Sequence, residues 1–514
     1  MIESGDYVDI RFSTVPRYNK PVGVYWLQTA STLLFGHPPY NRIWTYRIPS
    51  LIGAILTVLL AYWLVRSFAP PAAMISAALL GLTLLLAAEA RIAKTDALLL
   101  AAVTAAQWLF LRAYLFGSGQ AAECPPRWLV LVGWAAVGIG ILLKGPLILF
   151  VLAITAIAIS LWDGHWKWLR AIRPGWGILV AAALVLPWAL AIAFASHGAF
   201  YQKSLGHDFA AKVLGGQESH GAPPGYYLAL AGLTLWPVTL FALPAIGWAI
   251  LRRSEPAVRY LIAWLIPNWL LFELVPTKLP HYILPVYPAI AVLAGLWITR
   301  QADNRGPASQ LVLRILAVVQ FVIGTFVLAA AAVALPNRFG HSGAGWLAAG
   351  AGVVLLLGFT AAIMLFMRKA SLAVVCASIG AVILYPLLAA GVAPALQQIW
   401  LSPHLAERVV IDRNRRDPPV VLAGYVEPSL VFLLGSDTHI ESGANAAGTA
   451  ALQGGLALVE DHERDKFLNE LRNLGARAAA VDQVSGFNYS RGRHEHITFY
   501  RVTPIPRVIA PPPD

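Results

Sequence analysis

The chain alternates long apolar runs with short polar loops for most of its length. Apolar stretches fall at 48–65, 71–88, 97–116, 128–143, 146–162, 177–195, 226–251, 258–275, 282–299, 311–335, 345–367 and 371–393. Each is close to the ~20 residues that carry a helix across about 30 Å of hydrocarbon. About twelve membrane-spanning helices are therefore expected. Pro187, Pro237, Pro244, Pro267, Pro285 and Pro288 interrupt the runs, which membrane helices tolerate where neighbours satisfy the freed carbonyls. From about residue 400 the pattern changes. Short β-rich runs at 420–423, 456–459, 478–481 and 496–502 alternate with helix-like stretches such as 464–474, the rhythm of a small α/β unit. The fold expected is an α-helical polytopic membrane domain over 1–398 followed by a soluble α/β domain over 399–514, in which no catalytic constellation is visible.

Composition agrees with the pattern. Hydrophobic residues make up 58% of the chain and charged ones 12%, against about half and a quarter in soluble globular proteins. The net charge of +12 is not a nucleic-acid signature, because the basic residues sit in short loops and form no stripe interleaved with aromatics. It is a topology signal instead. Arg66, Arg112, Arg127, Lys167, Arg170, Arg173, Arg252, Arg253, Arg259, Arg300, Arg305, Arg314, Arg368 and Lys369 occupy one set of alternate loops, which the positive-inside rule assigns to the cytoplasm. The opposite loops carry about half as many: Arg91, Lys94, Lys144, Lys203, Lys212, Lys278 and Arg338. Met1 and the C-terminal unit then both lie outside, in the periplasm of a Gram-negative host. Two cysteines, Cys124 and Cys376, make no disulfide framework.

Four polar clusters on the outer face meet membrane boundaries: 18–28 with Lys20, 89–96 with Asp96, Lys144-Gly145-Pro146, and 277–285 with Lys278 and Tyr282. Singly, each has a plain explanation. Lysines at helix ends snorkel to head groups, an aspartate caps a helix start, and tyrosines populate the interfacial belt. Together they place cations on the side that should be poor in them, joined by a carboxylate and a phenol. That is the inventory for holding a phosphate and deprotonating an acceptor hydroxyl.

In order and spacing, the segments 1–28, 91–96, 144–146 and 278–285 resemble the aminoarabinose-transferase-like and protein-mannosyltransferase-like glycosyltransferases of the GT-C fold, across the whole membrane region. The resemblance implies sugar transfer from a polyprenyl phosphate, undecaprenyl phosphate in bacteria, to a lipid or glycan acceptor facing the periplasm, lipid A among them, at the inner membrane. Protein or cell-wall glycan is the alternative acceptor; an inactive relative or a multi-span transporter is the alternative class. It also implies roles: Asp96 in catalysis, and Lys20, Lys144, Lys212, Lys278 and Tyr282 around the donor phosphate. No nucleic acid is implied. A divalent metal would suit carboxylates and phosphates together, although Asp96 alone is a poor cage. The family's Asp-Glu pair in the first outer loop has no counterpart here. With a span count one short of the family's, and no export signal at Met1, this predicts that the sequence begins at an internal methionine, downstream of a first helix and that pair.

Overall fold

The computed structural model describes residues 1–12, 15–204, 221–300, 308–340, 345–414 and 417–505. Among the described residues nine helices are long and apolar enough to cross a membrane, and the apolar helices Pro70–Gly81, Leu147–Asp163 and Thr239–Leu251 are shorter. The chain is a multi-pass membrane protein with a small C-terminal sheet unit.

Two of the expected runs are not continuous. The stretch 71–88 forms Pro70–Gly81 and Leu84–Glu89, and 226–251 forms Tyr226–Thr234 and Thr239–Leu251. The two breaks meet. The Leu84 amide donates to the Trp236 carbonyl at 2.9 Å, and the Tyr385 hydroxyl lies on the carbonyls of both Leu82 and Trp236. Backbone freed at membrane depth is thus satisfied inside the protein. Pro237 sits at the second break, while Pro187, Pro244 and Pro267 lie inside helices.

Burial sorts the helices. Asp96–Gly117 and Pro280–Thr299 are 83% and 89% buried and form the centre of the bundle, whereas Pro174–Ala195 is only 17% buried and presents its apolar surface outward. Close approach explains part of this. A Cβ on Gly53 would stand 2.6 Å from the Leu98 nitrogen, so helix Ile43–Arg66 can rest on the start of Asp96–Gly117 only with glycine there. Within the bundle Gln107, Thr155, Tyr260 and Asn268 are all fully buried. Gln107 Nε2 and Asn268 Nδ2 each donate to Thr155 Oγ1 at 3.1 Å, and the Tyr260 hydroxyl donates to Gln107. Near the far end of Asp96–Gly117, the Tyr114 hydroxyl donates to Asp163 Oδ2 at 2.7 Å, and Arg259 donates to Asp163 Oδ1. Arg259 uses its other nitrogens on the carbonyls of Arg253 and Ser254.

Near the start of the chain β1 (Arg11–Phe12) and β2 (Val15–Pro16) pair antiparallel. The soluble unit begins with helix Leu401–Asp412 and holds five strands, β3 (Val421–Ala423), β4 (His439–Glu441), β5 (Gly455–Glu460), β6 (Arg477–Asn488) and β7 (Arg493–Thr503), in one sheet of order β4-β3-β5-β7-β6. β4, β3 and β5 are parallel, β7 runs antiparallel to β5, and β6 runs antiparallel to β7. Alternation decides the faces. Leu422 and Leu458 pack under helices Leu401–Asp412 and Pro428–Leu434, while Val421, Ala423, Ala457 and Val459 pack under Gly443–Gln453 and Asp461–Asn473. The run 464–474 lies in that last helix, and β4 was not expected. The unit rests on the membrane domain through Phe432 on Tyr46, 5.3 Å between ring centres, Phe487 on Phe339 at 5.4 Å, and a Ser436 hydroxyl donated to Glu3 at 2.5 Å.

Candidate functional site

The two most buried helices both open on the charged cluster. No side-chain capping hydrogen bond from Thr95 closes the start of Asp96–Gly117, whose first residue is Asp96. Its carboxylate, 4% exposed, turns sideways, and Oδ1 accepts from Lys144 Nζ at 2.5 Å. Lys144 is the last residue of Arg127–Lys144; Gly145 follows at φ +68°, a conformation glycine allows without strain, and Pro146 precedes the next helix. This tight reversal holds the ammonium beside Asp96, 5.0 Å above the Tyr282 ring, within the range of a cation–π contact.

Two residues join the cluster that sequence reasoning did not single out. Glu89, at the end of Leu84–Glu89, is 3% exposed. Its Oε1 stands 3.7 Å from Lys94 Nζ and 3.9 Å from His281 Nδ1. The other ring nitrogen of His281, Nε2, is 3.9 Å from Asp96 Oδ2, so the imidazole stands between two buried carboxylates. Asp96 Oδ2 and Glu89 Oε2 have no hydrogen-bond partner. Such atoms are uncommon in native proteins and ask for an explanation in strain or function. The signal was legible: a glutamate at the end of an apolar run is an expensive residue at a membrane boundary. Ser50 fixes the loop between the two acids, donating to the Lys94 carbonyl at 3.0 Å.

The remaining expected residues divide. Lys20 precedes helix Gly23–Phe35 and lies close enough for its charge to act on Glu89, Asp96 and His281. Lys278 is brought to the same end of the bundle, but its ammonium, 3% exposed as a residue, donates to the carbonyls of Ala222 at 2.8 Å and Val275 at 2.7 Å. It ties the loop after Leu274 to the stretch before Tyr226. Lys212 lies outside the described residues. Among the described residues no group of three His, Cys, Asp or Glu side chains is arranged to hold a metal ion.

A helical bundle with paired broken runs, a polar cluster at one end and an α/β unit beside it defines a membrane protein of the GT-C fold. The solved structure of ArnT from Cupriavidus metallidurans bound to undecaprenyl phosphate superposes with a TM-score of 0.70, covering 97% of this chain and 91% of that one at 18% identity. The family model for dolichyl-phosphate-mannose-protein mannosyltransferase matches residues 19–190. Undecaprenyl phosphate-alpha-4-amino-4-deoxy-L-arabinose arabinosyl transferases are similar in sequence: that of Pseudomonas paraeruginosa is 30% identical over 59% of this chain and 54% of its own length, and that of Edwardsiella ictaluri is 30% identical over 63% and 57%. The chain thus shares the fold of the ArnT structure and, over part of its length, resembles the protein-mannosyltransferase and aminoarabinose-transferase sequences. It spans a little over half the length of the curated relatives it matches.

Proposed function

We propose that the protein transfers a sugar from undecaprenyl phosphate to an acceptor hydroxyl or phosphate oxygen on the periplasmic side of the inner membrane, with lipid A as the acceptor. The observation that carries this reading is the Lys144–Asp96 pair beside two uncommitted buried carboxylate oxygens at a membrane boundary. The acceptor oxygen forms a bond to the anomeric carbon while the bond from that carbon to the phosphate oxygen breaks. The electron pair leaves with the polyprenyl phosphate, and where the acceptor is a hydroxyl its proton passes to a carboxylate, whereas an anionic phosphate oxygen attacks without one. Lys144 and Lys20 stabilise the charge that develops on the leaving phosphate, with Lys212 as a further basic contact and Tyr282 beneath Lys144. Asp96 orients and deprotonates the acceptor, and Glu89 with His281 beside it supplies a second acid and a proton path. Lys278 acts by positioning the loops beside the charged cluster.

The test is lipid A from a deletion strain, analysed by mass spectrometry with and without the plasmid-borne gene. Restoration of an amino-sugar adduct supports the proposal. Lipid A unchanged in both strains, with a glycosylated protein or cell-wall glycan restored instead, moves the acceptor to the alternative. Orientation is tested by cysteine labelling: residues 94 and 223, the latter exposed beside the carbonyl that Lys278 holds, should both react with a membrane-impermeant reagent from the periplasm, and labelling of 223 only from the cytoplasm would dismantle the site.

A further inference from the structure

A second polar constellation lies in the soluble unit. After β3 the chain turns at Gly424 and enters helix Pro428–Leu434 on one face of the sheet; after neighbouring β5 it enters Asp461–Asn473 on the other face. Adjacent parallel strands whose connections leave to opposite faces open a crevice at their carboxyl ends, where ligands of open α/β sheets bind. Gly424 lines it at φ +88°, and a Cβ there would stand 2.8 Å from His462 Cε1 and 3.0 Å from Glu460 Oε2.

The crevice is built from buried charges. Glu460 and Glu495 are 4% and 2% exposed. Glu460 Oε1 accepts from Arg493 Nη2 at 2.6 Å and lies 2.9 Å from His462 Nδ1; Glu495 Oε1 accepts from Arg493 Nε and Asn488 Nδ2 at 3.2 and 3.1 Å. Asn488 also donates to Glu427 at 3.1 Å. The second oxygens of Glu460 and Glu495 have no hydrogen-bond partner; Arg491 is near but 3.8 Å from Glu460 Oε2. Arg493 is thus clamped from behind by two carboxylates while its side chain stays 48% exposed. Tyr489, 66% exposed, stands on the same hairpin. Three glutamates against two arginines leave the site one negative charge in excess, which disfavours a bare anion. Uncommitted carboxylate oxygens need donors, an oriented guanidinium needs an acceptor, and an exposed phenol ring offers an apolar face. Adjacent sugar hydroxyls or an amino sugar meet all three demands.

We propose that this crevice is a saccharide-binding site, taking a neutral or amino-bearing sugar. It stands beside the membrane domain, because Phe487, next to Asn488, packs on Phe339. The inference does not depend on the transfer reaction. The test is saturation-transfer NMR on the full chain in lipid nanodiscs with D-glucosamine, D-glucose and inorganic phosphate, the last followed by phosphorus line broadening. Glucosamine should bind, with affinity reduced about tenfold or more in Glu495→Gln, as for a lost hydrogen bond to a charged group, and about threefold in Tyr489→Ala, as for a lost aromatic contact. Asp96→Asn should retain the crevice signal, which separates it from any sugar held at the membrane site. Tyr489→Ala, altering an exposed side chain, decides the matter if Glu495→Gln fails to fold. Phosphate binding without sugar binding, no sugar binding, or binding indifferent to the variants overturns the proposal.

Discussion

One helix, Asp96–Gly117, carries a charged cluster at each end, and the two are built on opposite plans. Asp96 and Tyr114 are about 27 Å apart along its axis at 1.5 Å per residue. At the Tyr114 end, Asp163 has a partner on each oxygen, a phenol and a guanidinium, and the guanidinium is further tied to backbone. That cluster is closed. At the Asp96 end one carboxylate oxygen is paired and the other is not, a second carboxylate repeats the deficit, and an imidazole stands between them beyond hydrogen-bond distance. The contrast separates buried charge that holds helices together from buried charge kept available. Removing a partner from the first strands a charge in the protein, whereas the second already tolerates unfilled valence.

This comparison can be broken by substitution. Asp96→Asn is expected to lower turnover per folded molecule by about 10² to 10³, the scale for losing one contact made in the transition state, with the cost of leaving Lys144 without its counter-ion softened by the helix end that supports it; parental turnover would remove Asp96 from the mechanism. Asp163→Asn should do the reverse, destabilising by about 3 kcal/mol because Arg259 is left without its counter-ion, with activity per folded molecule retained. Thermal unfolding in detergent beside a transfer assay reads both. Lys278→Met comes next, with a loss of about 1 to 3 kcal/mol from two carbonyls left unpaired and little change in donor KM; a large KM increase with unchanged stability would return Lys278 to the phosphate. Tyr282→Leu should weaken donor use by about 2- to 30-fold, the range of a cation–π contact worth about 0.5–2 kcal/mol, while Tyr282→Phe, which keeps the ring under Lys144, should cost less. Arg253→Ala, an exposed residue at the Arg259 end, should stay within about 0.5 kcal/mol of the parent.

Much of the architecture was legible because it rests on periodicity and length. Each of the twelve apolar runs reappears as helix, and Asp96 with Lys144 stood out because a carboxylate and a lysine are both costly at a membrane boundary. What escaped depends on three-dimensional closure. The breaks at 82–83 and 235–238 are stabilised by each other and by Tyr385, more than a hundred residues away from either, so no local signal marks them both. Glu89 and His281 lie in the segments 89–96 and 277–285, but their approach to Asp96 is a property of the packed bundle. Lys278 shows the converse: its place at a membrane boundary is local to its motif, whereas the direction of its ammonium, toward two carbonyls, is set by the loop before Tyr226. β4 reads His439-Ile440-Glu441, one apolar residue between two titratable ones, so no β-rich run marks it as Val421–Ala423 marks β3.

The reversal at Gly145 has a consequence for how the ion pair can open. Lys144 sits at the carboxyl end of its helix and Asp96 at the amino end of the neighbouring one. Peptide dipoles place partial negative charge at the first position and partial positive charge at the second, favouring a cation and an anion there by about 0.3–1 kcal/mol each at exposed sites and up to ~2 when partly buried. Each charge is therefore supported by its own backbone as well as by its partner. In the proposed reaction, Lys144 would exchange the carboxylate for an incoming phosphate and Asp96 would turn toward an incoming hydroxyl without either ion being abandoned in a medium of low polarity.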